Sequence, residues 1–354
     1  MLPQSRLIVL KIALLAPFEE PVPPKKYGGT ELVVYNLAEE LVALGHDVTL
    51  IASGDSTTTA TLAPGVESAI RVLAKSRNPQ TRMALNYQGL ANALSIIREG
   101  NFDILHNHYG WPLLMFERLL NCPIITTLHG TLADPTEQEM YSVHKDKSYI
   151  SISDSQRRHG PSLNYLGTVY NGIQVDRFSF NATPQNYLAF LGRITPDKGP
   201  KYAIEIARKT NQRLIMAAKI DPTDQAYFEQ IIEPLIDGDQ IQFIGEVDHQ
   251  GKVELLSNAR ALISPLQWDE PFGLVNTESL ACGTPVITIN RGSMPEIIEN
   301  GKVGFLCANV DEMIDRVADI GSIDRATCRQ HVESHFTSQV MATQYLQYYN
   351  QLLV

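Results

Sequence analysis

Two doubly wound α/β domains facing each other across a cleft are the architecture this chain predicts, and three features predict it. At 354 residues the chain is too long for one ordinary core and suits two domains. Short apolar runs alternate with amphipathic stretches, the rhythm of a parallel sheet covered on both faces. That rhythm stops once, in the polar, aperiodic segment Tyr170-Asn-Gly-Ile-Gln-Val-Asp-Arg-Phe-Ser-Phe-Asn-Ala-Thr-Pro184, and then restarts. The hinge belongs there.

The first set of strand candidates covers 11–16, 47–52, 69–73, 103–108, 123–128 and 149–153, with helix candidates such as 30–44, 82–98 and 111–120 between them. The second set covers 187–192, 213–217, 241–245, 261–265 and 285–289. Its helix candidates include 202–209, 225–236, 252–259 and 275–281, and a last helix, 338–352, is rich in Tyr and Gln. In such sheets ligands collect at the carboxyl ends of the strands.

Composition narrows the function. The hydrophobic fraction of 44% is that of a folded globular protein. A net charge of −10 argues against nucleic acid as a partner, so any bound phosphate must meet local positive charge and backbone amides. Cys122, Cys282, Cys307 and Cys328 form no CxxC pair or zinc spacing and read as reduced thiols of a cytoplasmic protein. Residues 7–16 are apolar but interrupted by Lys11, unlike a signal peptide. No run approaches the roughly 18 apolar residues of a membrane span. A dinucleotide dehydrogenase is also disfavoured. After the first strand comes Ala16-Pro-Phe-Glu-Glu-Pro-Val-Pro-Pro24 and then Tyr27-Gly-Gly-Thr-Glu31, with no G-x-G-x-x-G, and Walker A is absent.

The most informative stretch is Gln267-Trp-Asp-Glu-Pro-Phe-Gly-Leu-Val-Asn-Thr-Glu-Ser-Leu-Ala-Cys-Gly-Thr-Pro285. It follows a strand candidate and opens a helix, with Pro271 suited to the first turn and Gly283 to the position past the end. Glu270 then sits at the strand-to-helix turn and Glu278 inside the helix. At about 1.5 Å per residue, their separation roughly matches the reach of a diphosphate. Phe272, Gly273, Leu274 and Val275 offer backbone amides at the positive end of the helix, and Gly273 has no side chain to keep a phosphate away. Two isolated glutamates would more simply be a helix cap and a solvated residue; the complete string changes that reading.

The string resembles the E-x7-E motif of family 4 of the retaining glycosyltransferases, which share the GT-B fold of two Rossmann-like domains. The resemblance covers nearly the full chain. It implies that Glu270 contacts hydroxyls of the donor sugar and that Glu278 holds the ribose hydroxyls, tasks suited to carboxylate acceptors. The family's usual E-A-M-A reads Glu278-Ser-Leu-Ala281, a mild departure. Phe190-Leu-Gly-Arg-Ile-Thr-Pro-Asp-Lys-Gly199 resembles the family's G-R-x-x-x-x-K-G loop, in which Arg193 and Lys198 would neutralise the diphosphate. The plainer reading of that pair is a surface loop. Gly28 and Gly29 match the glycines near the donor phosphate and acceptor, although ordinary capping by Thr30 would also suit a helix start. His129 matches the histidine that approaches the reacting sugar, where a lone strand-end histidine is otherwise a structural hydrogen bonder. Asn171-Gly172 and Arg291-Gly-Ser-Met-Pro-Glu296 match further landmarks, the latter expected to border the donor.

We expect an N-terminal acceptor-side domain over 1–172, joined by the last helix at about 338–354, and a nucleotide-sugar-binding domain over 173–337. The expected reaction is retaining transfer from a nucleoside diphosphate sugar to an acceptor hydroxyl by front-face attack, with no cofactor. No metal is assigned. His106-Asn-His108 has two histidines on one strand face but no carboxylate or cysteine partner nearby, and no Asp-x-Asp pair stands at a strand end. Arg193, Lys198 and a helix dipole would take the metal's place. A 2-epimerase of the same fold, a glycosidase and a non-catalytic sugar-nucleotide sensor are the competing readings. The wording around Gln267 looks like the branch with antibiotic oligosaccharide enzymes, but donor base, sugar and the carbohydrate or small-molecule acceptor stay open. Between residues 68 and 100, Arg71, Lys75, Arg77, Arg82 and Arg98 face a single acid, Glu99. A solvated face or a patch for a charged acceptor is favoured there over a peripheral membrane contact.

Overall fold

In the computed structural model, which describes residues 9–26, 28–74, 78–158 and 160–353, the first apolar run forms strand β1 (Lys11–Leu15), and its side chains divide between two faces. Ile12 and Leu14 pack with Val33, Val34, Leu37 and Leu41 of helix Gly29–Ala43. Ala13 and Leu15 pack with Leu90, Ala93 and Ile97 of helix Pro79–Gly100 on the other side. Burial on both faces is why the run is continuous rather than alternating. Tyr27, Lys75 and Arg77, named above, lie outside the described residues.

The other strands of this sheet are β2 (Asp47–Ser53), β3 (Thr61–Val66), β4 (Ile104–Asn107), β5 (Ile124–Leu128), β6 (Ser148–Ser151) and β7 (Tyr165–Thr168). Seven parallel strands run in the order β3-β2-β1-β4-β5-β6-β7. The second sheet holds β8 (Leu188–Arg193), β9 (Leu214–Lys219), β10 (Ile241–Phe243), β11 (Ala261–Ser264), β12 (Val286–Ile289) and β13 (Gly304–Cys307). Its order is β10-β9-β8-β11-β12-β13, again parallel. Each sheet reverses its strand order once, between β1 and β4 and between β8 and β11. Crevices open outside the carboxyl ends of the strands at such switch points.

Several expected elements differ. The run at 69–73 is not a strand: Ile70–Leu73 is a helical turn, anchored by Ile70 N–H to the Phe18 carbonyl at 2.8 Å. The third strand comes earlier, through Pro64 and Gly65, which an edge strand tolerates because it pairs on one side only. The 111–120 candidate shrinks to Trp111–Leu114 and a 3₁₀ turn, Glu117–Leu119. The 225–236 candidate breaks into three short turns, the last (Glu233–Leu235) carrying Pro234.

The chain crosses between the two sheets twice, and the crossings touch. Ile173 bridges to Thr337, Asn36 Nδ2 donates to the Gly172 carbonyl at 3.0 Å, and a Cβ on Gly172 would collide with the Thr337 carbonyl. Helix Ser338–Leu353 then packs Met341, Ala342, Tyr345 and Tyr349 into the core beneath β1. A third tie is Glu296, which accepts from the backbone amides of Asp154 and Ser155 at 2.8 Å each. Among the described residues no helix is long and apolar enough to cross a membrane.

Candidate active site

The turn after β11 is built around Gly273. Its φ of +82° is a left-handed conformation that favours glycine, and it caps helix Leu274–Ala281. Pro271 therefore lies in the turn before the helix, not in its first turn as the sequence suggested. Gly283, at φ +82°, ends the helix where expected. The amides of Leu274 and Val275 sit in the first turn, where the helix offers no acceptor. Gly292 crosses behind Glu270 so closely that a Cβ would lie 2.5 Å from its amide nitrogen. Ser293 N–H donates to the Glu270 carbonyl at 3.0 Å and Ser293 Oγ to the Phe272 carbonyl at 2.8 Å. The 291–296 loop thus supports the glutamate turn from behind and none of it lines the cavity, contrary to the expected place beside the donor.

Two motifs far apart in sequence meet here. Lys198 Nζ pairs with Glu270 Oε2, which also accepts from Trp268 Nε1 at 3.0 Å, and the ammonium lies 5.0 Å from the Trp268 ring. Gly199, at φ +71°, packs so tightly against the Pro265 carbonyl that no side chain fits. Gln267 N–H donates to the Asp197 carbonyl at 2.7 Å. Glu278 is almost fully buried and pairs through Oε1 with Lys252, from helix His249–Asn258. Arg193 ends β8 and lies 3.7 Å from Asp221, which also meets Lys219 at 2.9 Å and Arg71 at 3.6 Å. Burial pushes the Asp221 carboxyl up, but the Lys219 hydrogen bond and the three surrounding cations outweigh it, leaving it below the usual carboxylate range.

The first domain faces this wall. Gly28 caps helix Gly29–Ala43 through its backbone, and no side chain, Thr30 included, serves as the cap. A Cβ on Gly29 would stand 3.7 Å from Leu274 Cδ1, so the two helix starts nearly touch across the cleft. His129 follows β5, and its Nε2 lies 2.9 Å from His108 Nδ1; burial lowers its pKa to about 4. Arg71 turns into the cleft, paired with Glu20 and 3.7 Å from Glu19, while Arg82 pairs with Glu19. Arg71 and Arg82 of the basic stretch are thus compensated by acids from other segments.

A cavity of about 940 Å³ between the domains is lined by Gly28, Gly29, His129, Arg193, Lys198, Glu270, Phe272, Gly273, Leu274, Val275 and Glu278. These eleven candidate site residues lie on it together, whereas Gly172 and the 291–296 loop do not. Reasoning from sequence missed Lys252, Trp268, Asp221 and Glu31, which line it or hold its charges. Trp268 stood inside the glutamate string, where an aromatic beside a carboxylate is a readable signal; Lys252 and Asp221 carried none. Asp134, Glu137 and Trp111 complete the first-domain wall.

Glu31 makes a prediction of its own. It is 6% exposed, and burial, reinforced by Glu20 and Glu19, raises its pKa from 4.5 to about 7. The folded protein therefore keeps a proton that the unfolded chain releases between those values, so folding loses stability as pH rises from about 4.5 to about 7. Glu31→Gln removes this titration. Its melting temperature relative to wild type is expected to climb between about pH 5 and about pH 8, by the equivalent of about 3 kcal/mol. A difference that stays flat across that range would show Glu31 to be ionised throughout.

Comparison with known proteins bears on the family and the fold. Residues 27–177 match the model described as Glycosyltransferase Family 4, and residues 173–330 the model described as Glycosyl transferases group 1. Glycogen synthase of Mycobacterium tuberculosis is 27% identical, covering 92% of this chain and 92% of its own. The crystal structure of AviGT4, a glycosyltransferase involved in avilamycin A biosynthesis, superposes with a TM-score of 0.74 at 23% identity, covering 97% of this chain and 98% of that one. HepE of Anabaena, solved in complex with UDP and glucose, superposes at 0.73 with 16% identity over 97% and 100% of the two chains. Matched through both halves by these two models and sharing the two-sheet architecture, the chain belongs to family 4 of the glycosyltransferases and has the GT-B fold.

Proposed function

We propose that this enzyme moves a sugar from a nucleoside diphosphate sugar to an acceptor hydroxyl, with retention of anomeric configuration and without a metal ion. The observation that carries the reading is the meeting of Arg193, Lys198, Glu270 and Glu278 with the open helix start at Gly273 on one cavity wall. Glu278 takes the ribose hydroxyls, Glu270 the sugar hydroxyls, and the Leu274 and Val275 amides the distal phosphate. As the bond from the anomeric carbon to that phosphate breaks, negative charge grows on the leaving diphosphate. Arg193 and Lys198 stabilise it. The acceptor oxygen bonds to the same face of the anomeric carbon, and its proton passes to the departing phosphate oxygen. No side chain need become a covalent nucleophile. That HepE, of the same fold, was solved with UDP and glucose supports a nucleotide-sugar donor.

The acceptor belongs to the first-domain wall. Glu31, Asp134 and Glu137 can accept hydrogen bonds from hydroxyls, and the Trp111 indole offers a flat apolar face for a sugar ring. We place the activity in the cytoplasm, a reading supported by four free cysteines, three of them buried. The test is nucleotide release from UDP-, GDP- and ADP-sugars found by a thermal-shift screen, measured with and without carbohydrate acceptors. Release that depends on acceptor is expected. Conversion of donor without acceptor would make the protein an isomerase, and no donor binding at all would overturn the reading.

A further inference from the structure

Behind His129 lies a column of imidazoles that the proposed chemistry does not use. His106 lies in β4 and His108 directly follows it; both are buried, with ring centroids 3.9 Å apart. His106 is held at both nitrogens: Nδ1 lies 2.6 Å from the Tyr349 hydroxyl and Nε2 lies 2.7 Å from Thr127 Oγ1, which in turn meets the Tyr345 hydroxyl at 2.9 Å. The closing helix thus locks the base of the column. His108 sits between, with Nδ1 2.9 Å from His129 Nε2 and with Nε2 buried against no protein partner.

These contacts leave two proton arrangements. In one, His108 carries its proton on Nε2, where it is a buried donor with no protein acceptor, and His129 Nε2–H donates to His108 Nδ1. In the other, His108 Nδ1–H donates to His129 Nε2, and only a lone pair is left bare at His108 Nε2. A buried hydrogen-bond donor without a partner is the costlier state. Imidazolium forms are disfavoured as well, since burial pushes both rings down, His108 far below its ordinary range. We infer that His108 is a positioning residue that fixes His129 as the tautomer protonated at Nδ1, so that His129 offers the cleft a neutral N–H donor. His129 lines the cavity and its Nε2 is already engaged, which leaves Nδ1 to face the ligand. A donor there suits an oxygen of the reacting sugar, and the inference rests on the transferase reading only for that last step.

The test is ¹⁵N NMR of the full chain labelled at histidine. Wild type is expected to show His129 protonated at Nδ1 and bare at Nε2. His108→Phe removes the donor, and His129 should then shift toward a mixture of tautomers, with kcat falling by about tenfold and KM for the nucleotide sugar little changed. His108→Gln keeps a side-chain N–H and should recover most of both signals. If His108→Phe fails to fold, the wild-type and Gln spectra still decide. A wild-type spectrum with His129 protonated at Nε2 overturns the inference, as does a His108→Phe spectrum unchanged from wild type. The expected tautomer in a protein that turns over no nucleotide sugar leaves His108's role standing and sinks the transferase reading instead.

Discussion

Replacing Lys198 or Arg193 with alanine is expected to slow sugar transfer by about 10²- to 10³-fold, the loss seen when a preorganised donor to a developing anion is removed. The two residues work from different supports. Lys198 is held by Glu270 and lies over Trp268, whereas Arg193 lies within a cluster around Asp221 that also includes Lys219 and Arg71. Lys198→Ala should therefore also loosen Glu270, which retains only the Trp268 indole donor among its named partners, and KM for the donor should rise with the fall in kcat. Arg193→Ala leaves Lys219 and Arg71 beside Asp221, so its effect should fall mainly on kcat. Charge that matters only as the diphosphate leaves acts on the transition state and not on ground-state binding. Steady-state kinetics with a tight donor decide the point. Loss confined to KM in both variants would mean the cations merely bind. Activity should also survive EDTA, and complete loss restored by magnesium or manganese would assign the charge stabilisation to a metal.

How much of this was legible in the sequence follows from where each signal resides. Central strands announce themselves because both faces are buried: β1 is apolar after Lys11, and β2 is buried throughout after Asp47 with the apolar run Leu50-Ile-Ala52 at its centre. The edge strands of the first sheet do not. β3 and β7 flank the first sheet, contain Pro64, Gly65 and Gly167, and are only partly buried, so their patterns look like loop. The apolar run at 69–73 was mistaken for β3 because a short buried helical turn has the same composition as a strand.

The site divides in the same way. Glu270, Glu278, Arg193 and Lys198 belong to local strings whose spacing is visible along the chain. Lys252 is not; it reaches Glu278 only because two helices pack side by side, and nothing in His249-Gln-Gly-Lys252 signals it. Asp221 gathers Arg71 and Arg193 from opposite domains, a contact that no window of sequence contains. His106-Asn-His108 was legible as a pair on one strand face, but its partners Tyr345 and Tyr349 come from the far end of the chain.

Glu278 is the residue on which donor affinity should turn most sharply. Lys252 engages Oε1, so Oε2 is the acceptor available to a pair of ribose hydroxyls. Losing a charged acceptor for these hydroxyls is expected to weaken nucleotide binding by about 1.5–3 kcal/mol, or about 10- to 150-fold in Kd. Glu278→Ala alone would confound this with stability. The carboxylate side chain is 3% exposed and the Lys252 side chain 17%, so truncation strands a half-sheltered ammonium, and breaking a buried pair in this way costs up to about 3–5 kcal/mol. Glu278→Gln keeps the shape, and the double variant Glu278→Gln with Lys252→Met removes both charges. If Glu278 binds ribose directly, both should lose nucleotide affinity while the double variant recovers melting temperature. If Glu278 serves only to neutralise Lys252 and neither side chain touches the nucleotide, the double variant will match wild type in both stability and nucleotide affinity by calorimetry. That result would move the ribose contact to another residue of the cleft.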